Sequence, residues 1–126
     1  MKYKKSEAKE YAREHMVGVW AANLTPFNEA LQLDEKAYRE NLNHWVNDLK
    51  LGGLFIAGKQ AEFFSMSIAE RKRLIDLSVE VASDAGNRND AGACGIVTSC
   101  SDTNLDVVLE LAEHSKNVGA DYVIVH

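Results

Sequence analysis

Behind Gly58 the chain reads Lys59-Gln60-Ala61-Glu62, placing an amine, an amide and a carboxylate within four consecutive positions. A glycine permits a tight turn, and exposed backbone amides in such a turn can hold a carboxylate. Lys59 can pair with an acid, and Gln60 can add an amide donor. The plainer reading makes Lys59 a solvated loop cation or a partner of Glu62, and Gln60 a surface residue. Glu62 suits a scaffolding carboxylate that accepts backbone amides and stiffens its loop better than an acid/base group. Thr25 can orient neighbouring groups, although Thr25-Pro26 is also ordinary turn chemistry.

Ser99-Cys100-Ser101 is a second polar group, read first as a strand-to-helix cap; no nucleophilic triad is visible. Phe63, Phe64 and Met66 suit packing beneath a loop better than a pocket wall, and Trp20 and Trp45 suit the core. Cys94 and Cys100 are too widely spaced for a redox pair and lack the partners of a zinc site. His15, His44, His114 and His126 form no metal-binding spacing, so neither metal nor cofactor is implied. A net charge of -5 without a basic stripe argues against nucleic acid. No apolar run approaches the roughly 20 residues that span a bilayer, and no signal core follows the basic start, so a cytoplasmic protein is expected.

These groups are positioned by an alternating series of elements. Residues 6–15 are charged and rich in helix formers, predicting a leading helix within an extension over 1–16. The apolar run 17–23 reads as a first strand, punctuated by Thr25-Pro26-Phe27-Asn28. Asp34 caps a helix in which Tyr38, Leu42, Trp45, Val46 and Leu49 form one stripe, stopped by Gly52-Gly53. Residues 54–57 form a short apolar strand of the kind covered on both faces. Ser67-Ile68-Ala69-Glu70 is a capping box, and its helix runs through Leu74, Ile75, Val79 and Ala82 toward Gly86. A third strand is expected over 91–97. A third helix is expected over 104–118, with Leu105, Val108, Leu109 and Ala112 on one face and Gly119 as C-cap. Residues 122–125 make a fourth strand. Strand and helix alternation implies four parallel strands joined by right-handed crossovers, an α/β fold.

Pattern alone does not separate a doubly wound sheet from part of a closed barrel. Residues 17–27, with their Thr25-Pro26-Phe27 turn, resemble the first strand of the dihydrodipicolinate synthase/N-acetylneuraminate lyase family. In order, Gly53-Leu54-Phe55-Ile56-Ala57-Gly58 with Glu62 resembles its second strand and Gly-x-x-x-Glu signature. Ser67-x-x-Glu70-Arg71 resembles its Leu-Ser-x-x-Glu-Arg helix start, Gly95 with Ser101-x-Thr103-Asn104 its third strand and loop, and Gly119-Ala120-Asp121 the approach to strand four.

The resemblance implies a TIM (βα)8 barrel, of which residues 17–126 would be the N-terminal half, since a whole barrel takes about 250 residues and eight strands. It implies a class I Schiff-base lyase or aldolase of 2-oxo acids such as pyruvate, working as a homo-oligomer without a cofactor. Thr25, Gly58, Lys59, Gln60 and Glu62 are the implied substrate-binding residues. The imine-forming lysine and relay tyrosine would lie on strands beyond His126, leaving no catalytic residue in this chain. The family's two threonines after Gly58 are here Lys59 and Gln60, with Ala61 for a glycine, which favours a sister lyase over the synthase reaction. The rival readings are a non-catalytic half-barrel that pairs with another chain or is a remnant, and an independent doubly wound binding domain.

Overall fold

The computed structural model describes residues 3–86 and 93–126. Four strands, β1 (Trp20–Ala22), β2 (Gly53–Ile56), β3 (Gly95–Ser99) and β4 (Tyr122–Ile124), form one parallel sheet in the order β1-β2-β3-β4. Parallel neighbours require crossovers, and the chain supplies a helix for each: α2 (Glu35–Asn43), α3 (Ile68–Asp84) and α4 (Leu105–Val118), after a leading α1 (Ala8–His15). Each crossover helix starts at a side-chain cap, two of them, Asp34 and Ser67, foreseen in the sequence, and the third, Asn104, expected inside its helix. Asp34 accepts the Ala37 amide at 3.0 Å, Ser67 and Glu70 close a reciprocal box, and Asn104 accepts the Asp106 amide at 3.0 Å. Gly119 ends α4 at φ 92, a left-handed conformation that glycine adopts without strain.

A doubly wound sheet reverses its strand order and puts helices on both faces. Here strand order equals chain order, and α3 packs between α2 and α4 on one face, the arrangement of a (βα)8 barrel wall. Leu54, Ile56 and Ile96 from that face interlock with Leu74, Ile75 and Leu77 of α3, all fully buried. Each such side chain contributes about 1.5–3 kcal/mol of hydrophobic stabilisation. Ion pairs tie the helices along their outer seams: Arg73 grips Glu35 through two bonds of 2.6 and 2.9 Å, and Lys72 reaches Glu110 at 2.6 Å.

The other face carries Trp20, Phe55, Val97 and Tyr122 by register. Added Cβ atoms on Gly53 and Gly95 would lie 2.2 and 2.4 Å from the Trp20 ring, so these paired glycines clear a shelf for the indole. The N-terminal segment covers this aromatic layer. Tyr3 and Tyr11 stack at 4.4 Å, and each ring lies 6.3 Å from Tyr122.

Several expected boundaries shift. β1 begins only at Trp20, opposite Gly53; the Val19 carbonyl still accepts the Gly52 amide at 2.9 Å, but Val19 is 69% exposed. β3 begins at Gly95 and ends two residues later than expected, at Ser99; residues 91 and 92 lie outside the described residues. Its polar end is accommodated because Thr98 donates to Ser115 at 2.9 Å and Ser99 to Ser101 at 3.1 Å. After α2 a π-helical turn, His44–Asp48, inserts extra length and rotates Leu49 off the stripe into solvent. The stripe assigned to α4 is also corrected. Leu105 and Leu109 are exposed, while Leu111 and Ser115 are buried. Among the described residues no helix is long and apolar enough to cross a membrane.

Candidate functional site

In a parallel barrel wall the loops leaving the C-terminal strand ends form the mouth. The loop after β2 is built from successive tight turns: the Ala61 amide donates to the Gly58 carbonyl at 3.1 Å, the Glu62 amide to Lys59 at 3.0 Å, and the Ser65 amide to Glu62 at 2.9 Å. From the loop after β1, the Thr25 hydroxyl donates to the Ala61 carbonyl at 3.0 Å. Thr25 thus pins the second loop, and the candidates Thr25, Gly58, Lys59, Gln60 and Glu62 gather at one end of β1 and β2.

Their individual roles differ from expectation. The left-handed residue at the exit of β2 is Ala57, at φ 53, not Gly58. Gly58 is required for clearance, because a Cβ there would lie 2.8 Å from the Phe55 ring. Lys59 and Gln60 are exposed and form no ion pair or side-chain hydrogen bond among the described residues. Glu62 is also exposed, at φ 58, and its carboxylate accepts no backbone amide among the described residues. The loop is stiffened by its backbone and by Thr25 instead. The amides of Gly58, Lys59 and Gln60 have no acceptor among the described residues, leaving three consecutive N–H groups at the strand exit.

A second cluster lies at the ends of β3 and β4. Ser99, Cys100 and Ser101 are buried; Ser101 Oγ accepts from the Ser99 hydroxyl at 3.1 Å and from the His126 amide at 3.1 Å. Arg71, 2% exposed, secures this loop: its guanidinium donates to Asp102 at 3.2 Å and to the carbonyls of Ser99 at 3.3 Å and Ser101 at 2.9 Å. The same guanidinium carbon lies 4.9 Å from the Phe63 ring centroid. Burial holds its proton affinity below that of a free guanidinium, with Asp102 opposing the shift. Phe63 and Met66 pack inward as expected, but Phe64 is 71% exposed. Among the described residues no group of three His, Cys, Asp or Glu side chains is placed to hold a metal.

A model of the dihydrodipicolinate synthetase family matches residues 15–125. The chain belongs to that family. N-acetylneuraminate lyase of Fusobacterium nucleatum is 27% identical over 104 residues, covering 82% of this chain and 33% of that protein. The Clostridium perfringens enzyme of the same name is 27% identical over 108 residues, covering 86% and 35%. N-acetylneuraminate lyase from Mycoplasma synoviae matches the fold with a TM-score of 0.78 at 23% identity, over 90% of this chain and 36% of that one. Dihydrodipicolinate synthase from Bacillus clausii gives 0.77 at 22% identity, over 92% and 36%. The chain spans about a third of the length of the curated relatives it matches.

In this synthetase-family chain, sequence reasoning found the β2 loop but not the residue that organises the β3 loop. Arg71 was noted only as part of a helix-start motif. The available signal was its phase: Arg71, Leu74, Ser78 and Ala82 fall on the buried face of α3 at helical spacing. Asn23 also escaped notice. It is buried beside the Tyr38 hydroxyl, whose pKa burial pushes up to about 12 against the smaller opposing effects of Ser78 and Asn23, yet among the described residues neither of its amide atoms makes a hydrogen bond of good geometry.

Proposed function

We propose that residues 17–126 form the first half of the barrel of a class I lyase or aldolase of 2-oxo acids, with residues 1–16 as an extension. In this reading the chain supplies the carboxylate-gripping side of the mouth. The carrying observation is the run of unbonded amides at Gly58, Lys59 and Gln60, held in place by Thr25. A pyruvate carboxylate suits such a cradle, with Gln60 as an added donor and Lys59 as a nearby cation. In Schiff-base chemistry a lysine amine adds to the ketone carbon and water leaves; the iminium then withdraws electrons so that the adjacent carbon–carbon bond forms or breaks. The fuller reading is a cytoplasmic homo-oligomer needing no cofactor. Lyase chemistry is favoured over the synthase reaction because Lys59 and Gln60 provide no hydroxyl relay, and it agrees with the names of the curated relatives.

Pyruvate titration followed by amide NMR tests the cradle: saturable shifts at residues 58–60 are expected, and their absence sinks the reading. Borohydride reduction in pyruvate, followed by mass spectrometry, should leave the 126-residue chain unmodified. A stoichiometric adduct on Lys59 would instead make that residue the nucleophile.

One observation favours a second reading. Among the described residues β1 pairs only with β2 and β4 only with β3, so two parallel edges are open. A non-catalytic half-barrel completed by another chain would use both. Light scattering that shows a defined dimer, together with no pyruvate response at residues 58–60, would favour it.

A further inference from the structure

Every cation of α3 is paired with an acid: Arg71 with Asp102, Lys72 with Glu110 and Arg73 with Glu35. Lys59, at the mouth, is not. It is exposed and makes no ion pair or side-chain hydrogen bond among the described residues, although the Glu62 amide donates to its carbonyl at 3.0 Å. The turn thus brings the two backbones together and leaves both side-chain charges unused. The base of Lys59 is nevertheless fixed. The turn is closed by the Ala61 amide on the Gly58 carbonyl at 3.1 Å and pinned by the Thr25 hydroxyl on the Ala61 carbonyl at 3.0 Å. An ammonium on a flexible four-carbon stem therefore swings from a rigid anchor at the exit of β2.

A single carboxylate does not need this charge. Its two oxygens offer about four acceptor sites. The amides of Gly58, Lys59 and Gln60 are donors without acceptors among the described residues. The Gln60 carboxamide adds a further donor close by, since its Oε1 lies 3.9 Å from where a Cβ on Gly58 would stand. Gln60 thus folds back over Gly58, and the cradle is filled without Lys59. An ammonium is a compact, strongly hydrated point charge, so Lys59 gains most from a full opposing charge beyond the filled cradle.

We infer that this mouth selects 2-oxo acids that carry a second acidic group, and that Lys59 is the residue that reads it. The inference rests on the proposed function, which seats the first carboxylate on the amides; the second then lies toward the far end of the molecule. 2-Oxoglutarate and 2-oxopentanoate test it, because they share one chain length and differ only in ending in a carboxylate or a methyl group. Each is titrated into the full 126-residue chain at low salt and followed through the amide signals of residues 58–60. 2-Oxoglutarate should bind about fivefold more tightly, the upper end for an exposed ion pair. The preference should shrink at about 1 M salt, where the screening length falls to about 3 Å. Lys59→Met should bring the two affinities together and Lys59→Arg should keep them apart, whereas Gln60→Leu should weaken both acids alike. Both positions are exposed, so the fold tolerates these changes. Equal affinities in the parent chain, a preference that survives in Lys59→Met, or a loss confined to 2-oxoglutarate in Gln60→Leu would each overturn the inference while leaving the cradle standing. Shifts from neither acid would sink the proposed function and the inference together.

Discussion

The sheet face turned toward α2, α3 and α4 buries Leu54, Ile56 and Ile96 completely, whereas the opposite face carries Trp20, Phe55 and Tyr122, each partly accessible. On the first face aliphatic side chains interdigitate with a helix layer. On the second, aromatic rings lean on one another: Trp20 meets Tyr122 edge-on at 6.2 Å, and the N-terminal tyrosines cover the pair. Among the described residues the buried Tyr122 hydroxyl has no hydrogen-bond partner, and burial pushes its pKa up to about 12. The contrast separates two tasks. The outer layer holds the strands in order, and the inner face leads to the mouth, where the polar groups collect.

The largest expected effect lies in the outer layer. Leu74→Ala removes a fully buried side chain between sheet and helices and should cost about 2–5 kcal/mol, read from urea unfolding. Tyr11→Ala on the inner side should cost about 1 kcal/mol, since it removes ring contacts at a partly exposed site. Equal costs would mean that the two faces are equally committed to the core.

Next is the residue that links the outer layer to the mouth. Arg71→Met keeps the stem but strands Asp102 and the carbonyls of Ser99 and Ser101. Removing one partner of a buried pair costs about 3–5 kcal/mol, and the partial exposure of Asp102 puts this case near the lower figure. The change should also broaden amide signals over residues 99–103 while leaving residues 58–62 sharp. Uniform broadening would show that Arg71 is not specific to the β3 loop.

On the inner face, Gly53→Ala forces the Trp20 ring off its shelf, an overpacking cost of about 1–3 kcal/mol. Trp20→Leu should relieve it, and the double variant should be more stable than Gly53→Ala alone. Failure of that rescue would remove the indole as the reason for the glycine pair.

The outer layer was also the more legible in sequence. Caps at Asp34 and Ser67 marked two of the helix starts because their side chains bond local amides, a short-range effect. The stripe on α4 was misread for a related reason. Hydropathy favours Leu105 and Leu109, but the helix docks through Leu111 and Ser115, whose hydroxyl meets Thr98 of β3. A buried serine carries no apolar signal, and its partner lies 17 residues away. The same blindness hid Arg71. At the candidate site, residue types located the β2 loop. That its backbone and Thr25, not the Glu62 carboxylate, hold it together required the tertiary contact between two loops.

The smallest effect distinguishes the faces by pH. Glu70 accepts from the Ser67 amide at 2.9 Å and from its hydroxyl at 2.8 Å, and these bonds hold its carboxyl below the usual glutamate range. A depressed folded-state pKa gives stability that is complete above the unfolded value of about 4.3 and is lost as pH falls through the folded value. Glu35, lowered by Arg73, titrates with the same sign. Both belong to the helix layer, while Tyr122 on the inner face stays protonated throughout this range. Glu70→Gln should therefore cost about 0.5–1 kcal/mol at pH 7. The difference from the parent chain should shrink below about pH 4 as the parent carboxylate protonates. Urea midpoints from pH 7 to pH 3 measure it, with Tyr11→Ala as the inner-face comparison, whose deficit should stay constant. A Glu70→Gln deficit that also stayed constant would show that the capping box acts through shape and not through charge.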